Sequence, residues 1–226
     1  MRYLDTEHCP PLENMVAEHT ALPDDRVSDR AFIRLNMIAS ADGGSAVAGL
    51  SGGLGNRDDH DVYKALRDGA DGVLVGLGTV VAEHYRPPAQ ADLRLYVVAD
   101  TPDVSGNAEL FESGTVTLVL PEDAGPAPAG VPEIRGGHAG QVDLPKLAHE
   151  LAGKVLIAEG GPTLAGVLAS LELIDEFFLT VSPRVIAGGS GRVVHGPDAD
   201  PDVWRLQHGF VDDDGYLFLR YVRQPA

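Results

Sequence analysis

Short apolar runs, each ended by glycine, proline or acidic residues, set the rhythm of this chain. Residues 32–39, 72–76, 93–99, 116–120, 155–158 and 176–183 are nearly continuous apolar stretches with the length expected of buried strands. The stretch 32–39 is broken only by Arg34 and Asn36, which alternate and so share one face. Between these runs the period lengthens. Residues 58–67 put Val62, Ala65 and Leu66 on one side of a helix, with Asp58 or Asn56 available as its cap, and 142–151 and 163–173 also read as helices. Strands alternating with helices predict an α/β fold with a parallel sheet. Residues 203–211 and 216–222, folded about Asp214-Gly215, predict a closing β-hairpin, so the sheet is mixed. Residues 1–30 combine Pro10, Pro11 and Pro23 with charges and no sustained period, which predicts an irregular arm with room for one short helix; 31–226 are read as a single domain.

The glycines gather at strand ends. After the run at 155–158 come Glu159, Gly160, Gly161, Pro162, Thr163 and Leu164, the pattern of a strand, a tight loop and a helix start. Proline suits a first helical turn because its missing N–H would be unpaired there anyway. The exposed N–H groups of such a turn can hold an anion, although the same residues also suit a plain strand-to-helix turn. Gly76, Gly78 and Thr79 open a second turn of this kind. The dinucleotide fingerprint is absent there, since its third glycine would fall at Val81. The stretch from Ser40 to Gly55, with six glycines, predicts a long loop after the first strand.

Composition narrows the function classes. With 226 residues, 27 glycines, 16 prolines and 44% hydrophobic residues, the chain is globular and long enough for a core without staples. Its net charge of −17 argues against a nucleic-acid or anionic-membrane partner, while a small phosphorylated ligand is compatible, because salt screens the distant field beyond about 10 Å. Cys9 is the only cysteine, so a disulfide framework and a thiolate zinc cluster within the chain are both excluded. Neither a signal peptide nor a membrane span is expected, which places the protein in the cytoplasm. The eight histidines show no metal-ligand spacing, and there is no G-x-S-x-G, H-E-x-x-H or P-loop. What remains is two anion-suited turns, a glycine-rich loop, and polar groups at strand ends: Asn36, Asp42, Arg67, Glu83 and Glu159. Such a set suits an enzyme whose cofactor carries the difficult chemistry. Asn36 in a strand and Arg67 near a helix C-terminus also have plain structural roles, an edge hydrogen bond and a charge against the helix dipole.

Taken in order, Asn36 to Gly43, Leu66-Arg67, Val75 to Val80, Glu83 and Glu159 to Leu164 resemble the reductase half of the riboflavin-biosynthesis deaminase-reductases. They are most similar to the stand-alone pyrimidine reductase-like proteins of actinobacteria. The resemblance runs from about Phe32 onward. It implies a dihydrofolate-reductase-like three-layer α/β fold with a mixed, mostly parallel central sheet, an NADPH cofactor and a homodimer. The implied reaction reduces the ribosyl group of 5-amino-6-(5-phosphoribosylamino)uracil to ribityl by hydride transfer to C1′. By position, Ala39, Ser51, Gly53, Gly76, Gly78, Thr79, Glu83 and the turn from Gly160 through Gly161, Pro162, Thr163 and Leu164 to Val167 would face the cofactor. Arg67, Glu159, Asn36 and Asp42 would face the substrate. The resemblance identifies no proton donor.

Departures from the family pattern keep other readings open. Asn36 stands where those enzymes often carry lysine, Gly53 where some carry tryptophan, and Glu83 replaces an aspartate; the substrate loop does not align beyond Arg86-Pro87-Pro88. The 31 residues ahead of the first strand hold only Cys9, so deaminase activity is not expected of this stretch. Reduction of a pterin-like substrate such as dihydrofolate, or nucleotide binding without turnover, are the alternatives.

Overall fold

The structure, a computed structural model, describes residues 12–197 and 203–224. The first eleven residues of the expected arm, Cys9 among them, lie outside the described residues. The next nine form α1 (Leu12–Thr20), the one short helix for which the arm had room.

Nine strands form one sheet in the order β5-β4-β3-β2-β6-β1-β7-β9-β8. They are β1 (Phe32–Ser40), β2 (Gly72–Gly76), β3 (Arg94–Val98), β4 (Val116–Leu120), β5 (Glu133–Arg135), β6 (Val155–Ala158), β7 (Glu176–Ser182), β8 (Trp204–Val211) and β9 (Leu217–Arg223). The seven from β5 to β7 run parallel, and the β8–β9 hairpin adds antiparallel to β7. At the hairpin turn, Asp212 Oδ1 accepts the N–H groups of Asp214 and Tyr216, while Gly215 takes a left-handed φ of 84°.

Helices cover both faces. On one side lie α1, α2 (Arg57–Asp68), α3 (Leu77–Ala82) and α4 (Ala108–Glu112), which bury Val62, Leu66, Val80, Leu110 and Phe111 against the sheet. On the other lie α5 (Leu144–Glu150) and α6 (Pro162–Ser170), packed through Leu147, Leu164 and Leu168. Asn56, of the two candidate caps, is the one that accepts the Asp59 N–H, at 2.9 Å. Asp143 caps α5 in the same way, which starts that helix two residues later than the apolar pattern implies. The pattern does not announce α4, since five residues are too few to show a helical period.

The two polar interruptions of β1 separate in role. Arg34 is fully buried, donates to Glu176 Oε2 at 2.6 Å and lies over the Phe178 ring. Arg220 binds the other oxygen of Glu176, so one buried carboxylate is shared by two guanidiniums. Burial lowers the Arg34 pKa, against the pull of Glu176. Arg34 is thus a structural ion-pair member. Asn36, half-buried on the same face, makes no side-chain hydrogen bond to any described residue.

Candidate functional site

β6 lies between β2 and β1, so the parallel sheet opens a crevice at the carboxyl ends of these strands. Glu159 stands at that edge, one residue past β6. Its Oε1 accepts from Arg67 Nε (2.6 Å) and its Oε2 from Arg67 Nη2 (2.7 Å), the bidentate fit of a planar guanidinium to a carboxylate. Tyr85 O–H donates to Oε2 as well, at 2.6 Å. The Arg67 guanidinium also lies 4.5 Å from the Tyr63 ring centre, and only 12% of its side chain is exposed. Burial, reinforced by the Glu159 charge, raises both Tyr63 and Tyr85 above the ordinary phenol value, so each keeps its proton. The two side chains expected to face a substrate separately therefore hold one another. Arg67 Nη1 is the nitrogen left without a hydrogen bond among the described residues.

Asp59, Tyr63 and Arg67 recur every fourth residue on α2, which puts them in a row about 12 Å long. At one end Arg67 reaches Glu159, just past β6; at the other Asp59 lies beside Thr180 of β7. β1 runs between those two strands, with Asn36 on the face that α2 covers. Burial raises the Asp59 carboxyl pKa. Sequence reading passed over this residue. Its signal was a carboxylate three and seven residues before Val62 and Leu66, on the apolar stripe rather than the solvent face.

On the other side of Glu159 the chain turns through Gly160, whose φ of 90° suits a residue without a side chain. A Cβ there would sit 3.2 Å from Met37 Sδ. The Gly160–Gly161 peptide is cis. The Gly76 N–H donates to Gly160 O at 2.8 Å, and a Cβ on Gly161 would fall 2.7 Å from Thr79 Oγ1. The starts of α3 and α6 therefore meet backbone to backbone. From this junction a groove of about 1140 Å³ runs outward. Gly76, Gly78, Thr163 and Leu164 line its inner end, and Asp100, Thr101, His138 and Gln141 its outer end.

The remaining expected residues lie around the loop after β1. Ala39 is buried in β1 itself. Ser51 and Gly53 form a short 3₁₀ turn, and the Ser51 N–H donates to Glu83 Oε1 at 2.7 Å, so Glu83 anchors the loop to the end of α3. Asp42 accepts from Ser40 Oγ (2.6 Å) and from the N–H groups of Ala187 (2.8 Å) and Ile186 (3.2 Å). These bonds, the Ser40 hydroxyl foremost, hold the Asp42 carboxyl at about 2. Asp42 thus ties the β1 loop to the glycine-rich stretch after β7. Among the described residues no cluster of side chains could hold a metal ion, and no helix is long and apolar enough to cross a membrane.

Residues 31–218 match the model of the RibD C-terminal domain. A 2,5-diamino-6-ribosylamino-4(3H)-pyrimidinone 5′-phosphate reductase from Methanothermobacter thermautotrophicus is 26% identical over 197 residues, which cover 79% of this chain and 91% of that one. Among solved structures, a pyrimidine reductase-like protein from Corynebacterium diphtheriae superposes with a TM-score of 0.75 at 21% identity, covering 95% of this chain and 99% of that one. Dihydrofolate reductase from Enterococcus faecalis, complexed with NADP(H), superposes with a TM-score of 0.56 at 16% identity over 88% and 99% of the two chains. The fold is therefore the dihydrofolate-reductase-like one that the resemblance implies. With its motifs in order and the match spanning most of its length, the chain belongs to the RibD C-terminal domain family.

Proposed function

We propose that this protein is a reductase of the riboflavin-pathway type, which reduces the ribosyl group of a phosphorylated ribosylaminopyrimidine to ribityl by hydride transfer to C1′. The substrate that the family resemblance implies is 5-amino-6-(5-phosphoribosylamino)uracil. The observation that carries the reading is the placement of Glu159. It joins a polar row on α2 to a glycine-built groove beside the starts of α3 and α6.

The reductant implied by the resemblance is NADPH, and the groove fits the part that NADPH and NADH share. The α6 start from Gly161 to Leu164 would hold the pyrophosphate, with Thr79 Oγ1 beside it. A bound reduced nicotinamide supplies the hydride. The chain's own residues hold and orient the sugar and manage the accompanying proton. Arg67 Nη1 offers a charged donor to a pyrimidine carbonyl or a phosphate, and Asn36 an uncommitted amide. Asp59, with its raised carboxyl, is the group we assign to deliver the proton. The homodimer and the cytoplasmic location implied at the outset belong to the same reading; sedimentation of the purified protein tests the former.

The decisive assay is consumption of a reduced nicotinamide dinucleotide with the uracil compound, with its 2,5-diaminopyrimidinone counterpart and with dihydrofolate as separate substrates. Turnover with either ribosylaminopyrimidine and none with dihydrofolate supports the proposal. Turnover with dihydrofolate alone would replace it. An Asp59→Asn variant should lose about 100-fold in kcat with little change in KM. An unchanged pH–rate profile in that variant would remove Asp59 from the mechanism.

A further inference from the structure

The outer end of the groove carries a charge pattern that the family's usual reductant does not match. NADPH differs from NADH only by a phosphate on the adenosine 2′-hydroxyl, which adds about two negative charges at neutral pH. Sites that select this phosphate supply arginine or lysine. Among the described residues lining this groove there is neither, and the charged side chains are Asp100 and Asp143.

Asp143 is engaged as the cap of α5, through the Lys146 N–H. Asp100 is exposed, one residue past the buried Ala99 that follows β3, and makes no side-chain hydrogen bond. Leu77, which opens α3 and lines the same groove, is apolar. Pro197, which also lines the groove, is apolar. Nearby lysine is committed elsewhere: Lys146 Nζ is bonded to Arg135 O. Thr101, His138 and Gln141 remain as donors at this end, enough for ribose hydroxyls and an adenine edge.

We infer that the groove selects the unphosphorylated dinucleotide, NADH, over NADPH, and that Asp100 is the specificity-determining residue. The inference rests on the dinucleotide reading of the groove. A carboxylate facing the 2′-position accepts a hydrogen bond from the free hydroxyl, whereas it repels a phosphate at the same place.

The test is direct titration of the unaltered protein with NADH and with NADPH, followed by calorimetry, and competition by adenosine 5′-monophosphate against adenosine 2′,5′-bisphosphate. NADH should bind about tenfold more tightly than NADPH at low salt, with the gap narrowing as salt is added. Asp100→Arg should raise NADPH affinity about tenfold or more while moving NADH less than twofold. NADPH binding as tightly as NADH, or more tightly, would overturn the inference. An Asp100→Arg variant with an unaltered ratio would overturn the assignment to Asp100. Failure of both dinucleotides to bind would instead overturn the dinucleotide reading, and the inference with it.

Discussion

Arg67 and Glu159 show what a linear pattern yields about single residues. Each is visible in the sequence as a charge at the end of an element. Their mutual pairing is not, because 92 positions separate them and the contact depends on how α2 lies across the sheet. The pair is largely buried, with Glu159 only 4% exposed, so removing one partner leaves an uncompensated charge. Arg67→Ala should lower stability by about 3 kcal/mol, read from urea unfolding. Adding Glu159→Gln should recover part of that loss, because a neutral amide is left in place of an unpaired carboxylate. For substrate and cofactor the effects should split: substrate KM rises at least about tenfold, since a charge-assisted hydrogen bond is lost, while the dinucleotide dissociation constant stays within about twofold. Equal losses on both would make Arg67 a support of the whole crevice rather than a substrate contact. Asp59 escaped sequence reading for a related reason. A carboxylate in a first helical turn ordinarily reads as a dipole or cap residue, and only the position of β7 turns it inward.

Elements were more legible than residues because their signals are local. The glycine turn after β6, the Asn56 cap and the strands at Gly72–Gly76 and Val116–Leu120 each carry their cause in adjacent positions. What escaped was either short, as in α4, or set by a distant partner, as in the two loops that Asp42 ties together. At the junction of α3 and α6 the close backbone approach leaves no room for a side chain. Gly161→Val should therefore push Thr79 aside and weaken dinucleotide binding by about tenfold or more, with the circular dichroism spectrum preserved. Unchanged affinity would mean that the groove takes its ligand elsewhere. The Asp42 clamp makes a separate prediction. Its carboxyl is depressed from 3.8 to about 2, so the clamp is complete above pH 3.8 and is lost as pH falls through 2. At neutral pH, Asp42→Ala should speed hydrogen exchange at the Ile186 and Ala187 amides. Unaltered exchange at both would show that the loop is held by other contacts.

At the scale of the whole molecule, the N-terminal helix is fastened to the far edge of the sheet through contacts around the buried His19. His19 on α1 packs edge-on to Phe178 of β7 and Phe210 of β8, and its Nδ1 lies 3.0 Å from Nδ1 of His208. The cations Arg34 of β1 and Arg220 of β9 face it, with Glu176 between them, and Glu18 lies 3.7 Å from the far nitrogen of His208. Arg220 also donates to His19 O, and Arg34 to Ala21 O, so the end of α1 and the residue just past it depend on the same ion-pair group. Burial, then the neighbouring His208 and the two guanidiniums, lowers the His19 pKa from 6.5 to about 3. The folded protein therefore binds fewer protons than the unfolded chain between these values, and stability falls as pH drops below 6.5. At pH 5 this one group should cost about 2 kcal/mol relative to neutral pH, and its slope should fade over about one pH unit above 6.5. The window lies above the range in which most carboxylates titrate, so the histidine signal is separable. Urea unfolding at pH 7, 6 and 5 should show a falling midpoint in the unaltered protein and a nearly level one in His19→Phe, which keeps the ring packing and removes the proton. Parallel curves for the two proteins would place the acid sensitivity in another group.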